Sequence, residues 1–144
     1  MAMVPFHSRF DVIAFQEMQT FVVPKGFKLL PPGDYGLLEL FCEDQDCDCR
    51  RVILLVVRPD GKNKIWATIN FGWETADFYT EWSHDPESAQ EMASATLEPF
   101  GAQSKYSPAL LDLCKTILRD SAYLDRLKRH YQMFRNASST SLPA

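Results

Sequence analysis

No run of about 18 apolar residues occurs, so nothing in the chain predicts a membrane-crossing helix. Glycine is scarce: there are six in 144 residues, none clustered, which excludes a phosphate-cradling glycine loop. Neither Gly-x-Ser-x-Gly nor His-Glu-x-x-His is present, so two common hydrolase signatures are absent. Basic residues are not in surplus. Lys and Arg number 15 against 19 Asp and Glu, a net charge of −4, which argues against a dedicated nucleic-acid binder. Residues 1–9 lack the uninterrupted apolar segment and small-residue cleavage site of a secretory signal, so a cytoplasmic location is expected. Thiols stay reduced there, and the sequon Asn136-Ala-Ser138 carries no meaning in that compartment. There is no internal repeat and no low-complexity block.

What remains is ordinary in bulk. A chain that is 46% apolar and 24% charged, at this length, predicts one soluble domain with a single core. Residues 1–9 are expected to form a loose arm, 10–137 the domain, and 138–144 a polar tail. Segment 10–32 is broken by Pro24, Gly26, Pro31 and Pro32; it reads as one short strand or helix over 11–21, then an extended connector. Residues 35–42 and 51–58 are strand candidates, the second apolar on both faces and therefore central. The turn residues Pro59-Asp-Gly61 separate it from a third candidate at 65–71. After Gly72 the apolar period lengthens to that of a helix. Phe78 and Trp82 share a face, and Asp85-Pro86 and Ser107-Pro108 look like helix starts. Asp120 would cap a last helix whose Leu124, Leu127, Tyr131 and Phe134 step by three and four. The expected fold is α+β: an antiparallel meander of about three strands carrying a cysteine-rich loop, followed by C-terminal helices packed on the sheet.

The most specific feature is Cys42-Glu-Asp-Gln-Asp-Cys47-Asp-Cys49-Arg-Arg. Three soft ligands at this spacing between two strands suit zinc, which demands thiolates near tetrahedral geometry with sulfurs within about 4 Å of each other. A closed structural site needs a fourth ligand. His84, in polar surroundings near a helix start, is the candidate assigned; Asp46, Asp48 or a water are the others. Cys114 is a further candidate for the fourth ligand, but it follows Leu110 by four and precedes Ile117 by three, which places it on an apolar helix face as a small hydrophobe. Asp44-x-Asp46-x-Asp48 opens like a calcium loop, but the sixth position is Cys49 instead of glycine and the twelfth is Leu55 instead of glutamate.

Cys-x4-Cys-x-Cys-Arg-Arg feeding an apolar strand, followed by Phe71-Gly-Trp-Glu74, Phe78-Tyr79, Trp82 and Arg126-Leu-Lys-Arg-His-Tyr131, resembles a group of uncharacterised bacterial proteins. Some of that group are associated with SEC-C-type zinc-binding segments. The resemblance spans roughly residues 30–135 and implies a cytoplasmic metal-binding protein without implying an activity. The SEC-C pattern itself is absent from this chain.

Other features are weaker. An acidic series from Glu74 to Glu98 contains no lysine or arginine, and the last helix answers it with Arg126, Lys128, Arg129, His130 and Arg135. Complementary solvated faces within one molecule are the simpler account, and no phosphate backbone is expected as partner. Glu74 and Asp77 lie one helical turn apart without a pocket-forming motif. Trp73, Phe78 and Trp82 read as packing residues. Three readings remain. One is a non-enzymatic zinc module that contacts a protein partner. Another is an enzyme with an open three-cysteine zinc site and Glu43 or Asp48 as base. The last is a thiol redox sensor whose thiolates Arg50 and Arg51 favour.

Overall fold

Exposure alternates along residues 35–41, with Tyr35, Leu37, Glu39 and Phe41 buried and Leu38 and Leu40 partly open. Period two of this kind marks a strand with one face on a core. The computed structural model describes residues 3–140, and side chains through 137. In chain order the elements are β1 (Met3–Pro5), a 3-10 turn (Phe6–Ser8), α1 (Asp11–Gln16), β2 (Gln19–Val23), β3 (Gly33–Cys42), β4 (Arg51–Val57) and β5 (Ala67–Gly72). Then follow α2 (Ala76–Ser83), α3 (Pro86–Met92), β6 (Ala95–Leu97), α4 (Ser107–Ile117) and α5 (Ser121–Thr140).

The fold is α+β, and its centre is the expected meander. β3 pairs antiparallel with β4, and β4 with β5, so the doubly apolar β4 lies between two neighbours. Among the described residues the sheet has six strands in the order β1-β3-β4-β5-β6, with β2 also on β3. β1 and β2 share one edge of β3, at Leu40–Cys42 and Gly33–Leu37 respectively.

The sheet has two unlike faces. The inner one, with Leu37, Phe41, Val52, Leu54, Val56, Ile69 and Phe71, forms one core cluster with Leu110, Cys114, Leu127, Tyr131 and Phe134 of α4 and α5. Each fully buried residue of this size contributes about 1.5–3 kcal/mol relative to exposure. The outer face carries Leu40, Arg51, Ile53 and Asn70, brought side by side by the register Leu40↔Ile53↔Asn70. No helix among the described residues is long and apolar enough to cross a membrane.

Helix starts follow their capping chemistry. The Thr75 side chain accepts from the Phe78 amide, Asp85 accepts from Glu87 with Pro86 following, and Asp120 accepts from Ala122 at 3.1 Å. Ser107 differs from its expected capping role. It lies inside α4, and its hydroxyl meets Gln103 Oε1 at 2.7 Å.

Two segments correct the expectations. Residues 3–9 are no loose arm: β1 pairs with β3, and Phe6 is buried against Phe10, Phe41 and His130. Arg9 donates to the Phe134 carbonyl at 3.2 Å. Apart from Phe10, these partners are distant in sequence, so no local periodicity signals them. Residues 11–21 hold both a helix and the start of a strand, because the short α1 ends at Gln16 and β2 begins at Gln19. At the other terminus the expected tail begins within α5, which runs to Thr140; residues 141–144 lie outside those described.

Candidate metal centre

Cys42 is the last residue of β3, facing outward with Leu40, and it pairs with Met3 of β1. The loop then turns back on itself. The Asp46 amide donates to the Asp44 carboxylate at 3.0 Å, and the Cys47 amide to the Asp44 carbonyl at 3.1 Å, an arrangement aspartate favours in turns. Arg50 adopts a left-handed conformation, φ 52°, immediately before β4. The outcome is that the sulfurs of Cys42, Cys47 and Cys49 all lie within 4.8 Å of one another. Cys42 and Cys49 are buried and Cys47 is half-buried, and none of the three is in a disulfide. Three cysteines are therefore close enough to bind one metal ion.

Residues far along the chain hold the loop. Tyr131 of α5 donates its hydroxyl to Asp48 Oδ1 at 2.9 Å and accepts from the Arg50 amide at 3.1 Å. Arg135, one turn further, donates to the Cys47 carbonyl. From the other side, the Tyr79 hydroxyl of α2 donates to the Arg50 carbonyl at 2.8 Å. Gly72, opposite Arg51 in the register, makes this approach possible. A Cβ there would collide with the Met92 carbonyl, the Arg51 guanidinium and the Tyr79 hydroxyl.

The electrostatics of the bare thiols are unfavourable to ionisation. Burial, then the neighbouring charges of Cys49 and Cys42, push the Cys47 thiol up to about 12. Burial followed by Cys42 also raises Cys49, whose sulfur meets the Arg51 backbone in a hydrogen bond that works the other way. Thiolates this close repel one another, and a divalent cation inverts that balance by supplying positive charge to all three. Arg50 does not supply it, and the charge of Arg51 lowers Cys49 by less than burial and Cys42 raise it. Arg50 is turned to Asp48 at 2.9 Å and Glu74 at 3.5 Å. Arg51 is bound to Asn70 and the Met92 carbonyl.

Among the described residues the group consists of the three cysteines, and His84 does not belong to it. His84 instead ends α2 in a left-handed conformation, φ 59°, with its amide donating to the Thr80 carbonyl at 2.9 Å. Cys114 lies in α4 with no exposure, its thiol raised to about 12 by burial alone. The aspartates of the loop do not converge as a calcium site would require, since Asp44 closes the turn and Asp48 serves Tyr131 and Arg50. Several cations of the last helix are likewise engaged within the molecule: Arg126 on the Glu17 carbonyl and Arg129 on the Glu17 carboxylate.

Sequence reasoning missed Tyr131 and Tyr79 as supports of the loop, and it missed a buried histidine. His130 places Nδ1 at 2.6 Å from Glu39 and Nε2 at 2.7 Å from Glu17. Comparison with protein-family models, with curated proteins and with solved structures gave no match.

Proposed function

We propose that Cys42, Cys47 and Cys49 hold one zinc ion as thiolates and that the protein is a cytoplasmic, non-enzymatic module that presents this ordered loop to a protein partner. The convergence of three sulfurs within 4.8 Å carries the reading. The raised thiols of Cys47 and Cys49 support it, because the cost of ionising neighbouring thiols out of water is what a bound dication offsets. A fourth position is left for water or a further ligand, since the group includes neither His84 nor Cys114. Zinc there would neutralise the thiolates and fix the turn between β3 and β4. The enzymatic alternative loses its base: Asp48 is occupied by Arg50 and Tyr131, and Glu43 lies 3.9 Å from Arg9. The redox alternative needs a ready thiolate, and burial works against one here.

Metal analysis of chain purified without chelator tests the reading. One zinc per chain is expected, with Cys114→Ala retaining it and Cys47→Ser/Cys49→Ser losing it. Cobalt substitution should add thiolate-to-metal charge-transfer absorption that the double variant lacks. Metal-free wild type that takes up neither ion would overturn it, and zinc lost in Cys114→Ala would move the fourth ligand to α4.

A further inference from the structure

The outer face of the sheet bears a pocket of about 450 Å³ beside the cysteine loop, within the size range of small-molecule sites. Its floor is Leu40, Ile53 and Asn70, adjacent across β3, β4 and β5. Trp82 and Met92 wall one side, Met3 of β1 lines it too, and Phe100, 98% exposed, forms part of the lining as an open lip.

The polar groups in it are specific. Arg51 reaches the pocket half-buried, with its guanidinium 5.1 Å from the centre of the Tyr79 ring. Nε and one terminal nitrogen donate to Asn70 Oδ1, and the other terminal nitrogen donates to the Met92 carbonyl. Both acceptors are neutral. A guanidinium has five N–H groups; Asn70 and the Met92 carbonyl take three and the Tyr79 hydroxyl engages a fourth, so one remains for another acceptor. No carboxylate among the described residues forms an ion pair with Arg51, in contrast to Arg50 next to it. Glu98 and Cys49 line the pocket too, and Glu98 acts on Arg51 through its charge without pairing with it: its carboxylate accepts from the Asn70 amide at 2.8 Å, which in turn fixes the Asn70 oxygen toward Arg51. A largely desolvated cation on neutral acceptors, at the polar end of an apolar cleft, is complementary to an anion attached to an apolar body.

We propose that this pocket binds small monocarboxylates with an aliphatic or aromatic tail, the carboxylate on Arg51 and the tail along Leu40 and Ile53 toward Trp82 and Met92. The site rests on the sheet's outer face and not on the metal reading.

Calorimetric titration of the full chain with 4-phenylbutanoate, 4-phenylbutan-1-ol and 4-phenylbutylamine tests it, each with metal content measured in parallel. The acid should bind about tenfold more tightly than the alcohol, the difference a charge-assisted pair contributes, and the amine should bind weakest. Ile53→Trp, which fills the floor and leaves Arg51 in place, should weaken acid binding about tenfold or more with metal content and circular dichroism unchanged. Arg51→Met should bring acid and alcohol to within about twofold, since the charge that distinguishes them is removed, and circular dichroism checks that the loss of its bonds to Asn70 and Met92 leaves the fold intact. Equal binding of acid and alcohol by wild type would mean that Arg51 only ties Asn70 and the end of α3 together, and would overturn the proposal. So would acid binding unaffected by Ile53→Trp, or no binding of any probe at millimolar concentration. Acid-selective binding by chain that holds no zinc and takes up neither zinc nor cobalt would sink the metal reading and leave the pocket standing.

Discussion

His130 is buried on α5 between two carboxylates and stacked on Phe6 at 4.2 Å. Both of its ring nitrogens face carboxylate oxygens, so both donate only when the ring is protonated. Burial opposes that charge, but the hydrogen bonds and charges of Glu39 and Glu17 outweigh it, and the histidine is raised above its usual 6.5. Glu17 moves the other way, held below 4.5 chiefly by its bond to His130, with Arg129 adding to the effect. A group raised in the folded state stabilises fully below its unfolded value and loses that contribution as pH climbs through the folded one. The lowered Glu17 contributes above its unfolded value and loses that as pH falls. The pair is therefore worth most between those limits. Thermal melts from about pH 6 to about pH 9 should show wild type losing stability relative to His130→Gln as the imidazolium deprotonates. Parallel curves for the two proteins across that range would show that the histidine is not charged in the fold.

The elements differ in how far local sequence announces them. The cysteine group was legible because its three members lie within eight residues between two recognisable strands. β4 announced itself as central through a run apolar on both faces, and α5 through steps of three and four. β1 and β6 did not, being three residues each and strands only by virtue of their partners. Nor did the contact between His130 and Glu39, which are separated by 91 positions. Tyr131 shows the same limit. Its helical phase marks it as a core residue, which it is, but the phase says nothing of a hydroxyl that reaches the β3–β4 loop. Tyr131→Phe keeps the ring and removes the bridge, leaving the Arg50 amide without that acceptor. Loss of a buried partner of this kind costs about 1–3 kcal/mol. The variant should melt lower and exchange its Arg50 amide faster while still binding metal. An unchanged melting temperature with an unchanged Arg50 exchange rate would show that Tyr79 and Arg135 hold the loop without it.

At the scale of the molecule, the division of the sheet into two faces decides how much the fold depends on the cysteines. The inner core, from Leu37 and Leu54 through Leu127 and Phe134, contains none of Cys42, Cys47 and Cys49. A zinc finger without such a core is unfolded when its metal is removed. Here the loop also retains protein contacts that owe nothing to a metal, from Tyr131 and Arg135 on one side and Tyr79 on the other. Losing the metal should consequently loosen one connection and leave the sheet and helices in place. Cys47→Ser/Cys49→Ser is expected to keep its helical circular dichroism, to melt at a lower temperature, and to be cut by proteases near Asp46, which is exposed even in the intact loop. Limited proteolysis with mass spectrometry reads the last point directly. Unfolding of the double variant at room temperature would make the metal integral to the core. Unchanged melting together with unchanged protease resistance would mean that the three thiols bear no load in the fold, and that whatever they bind serves chemistry at the outer face.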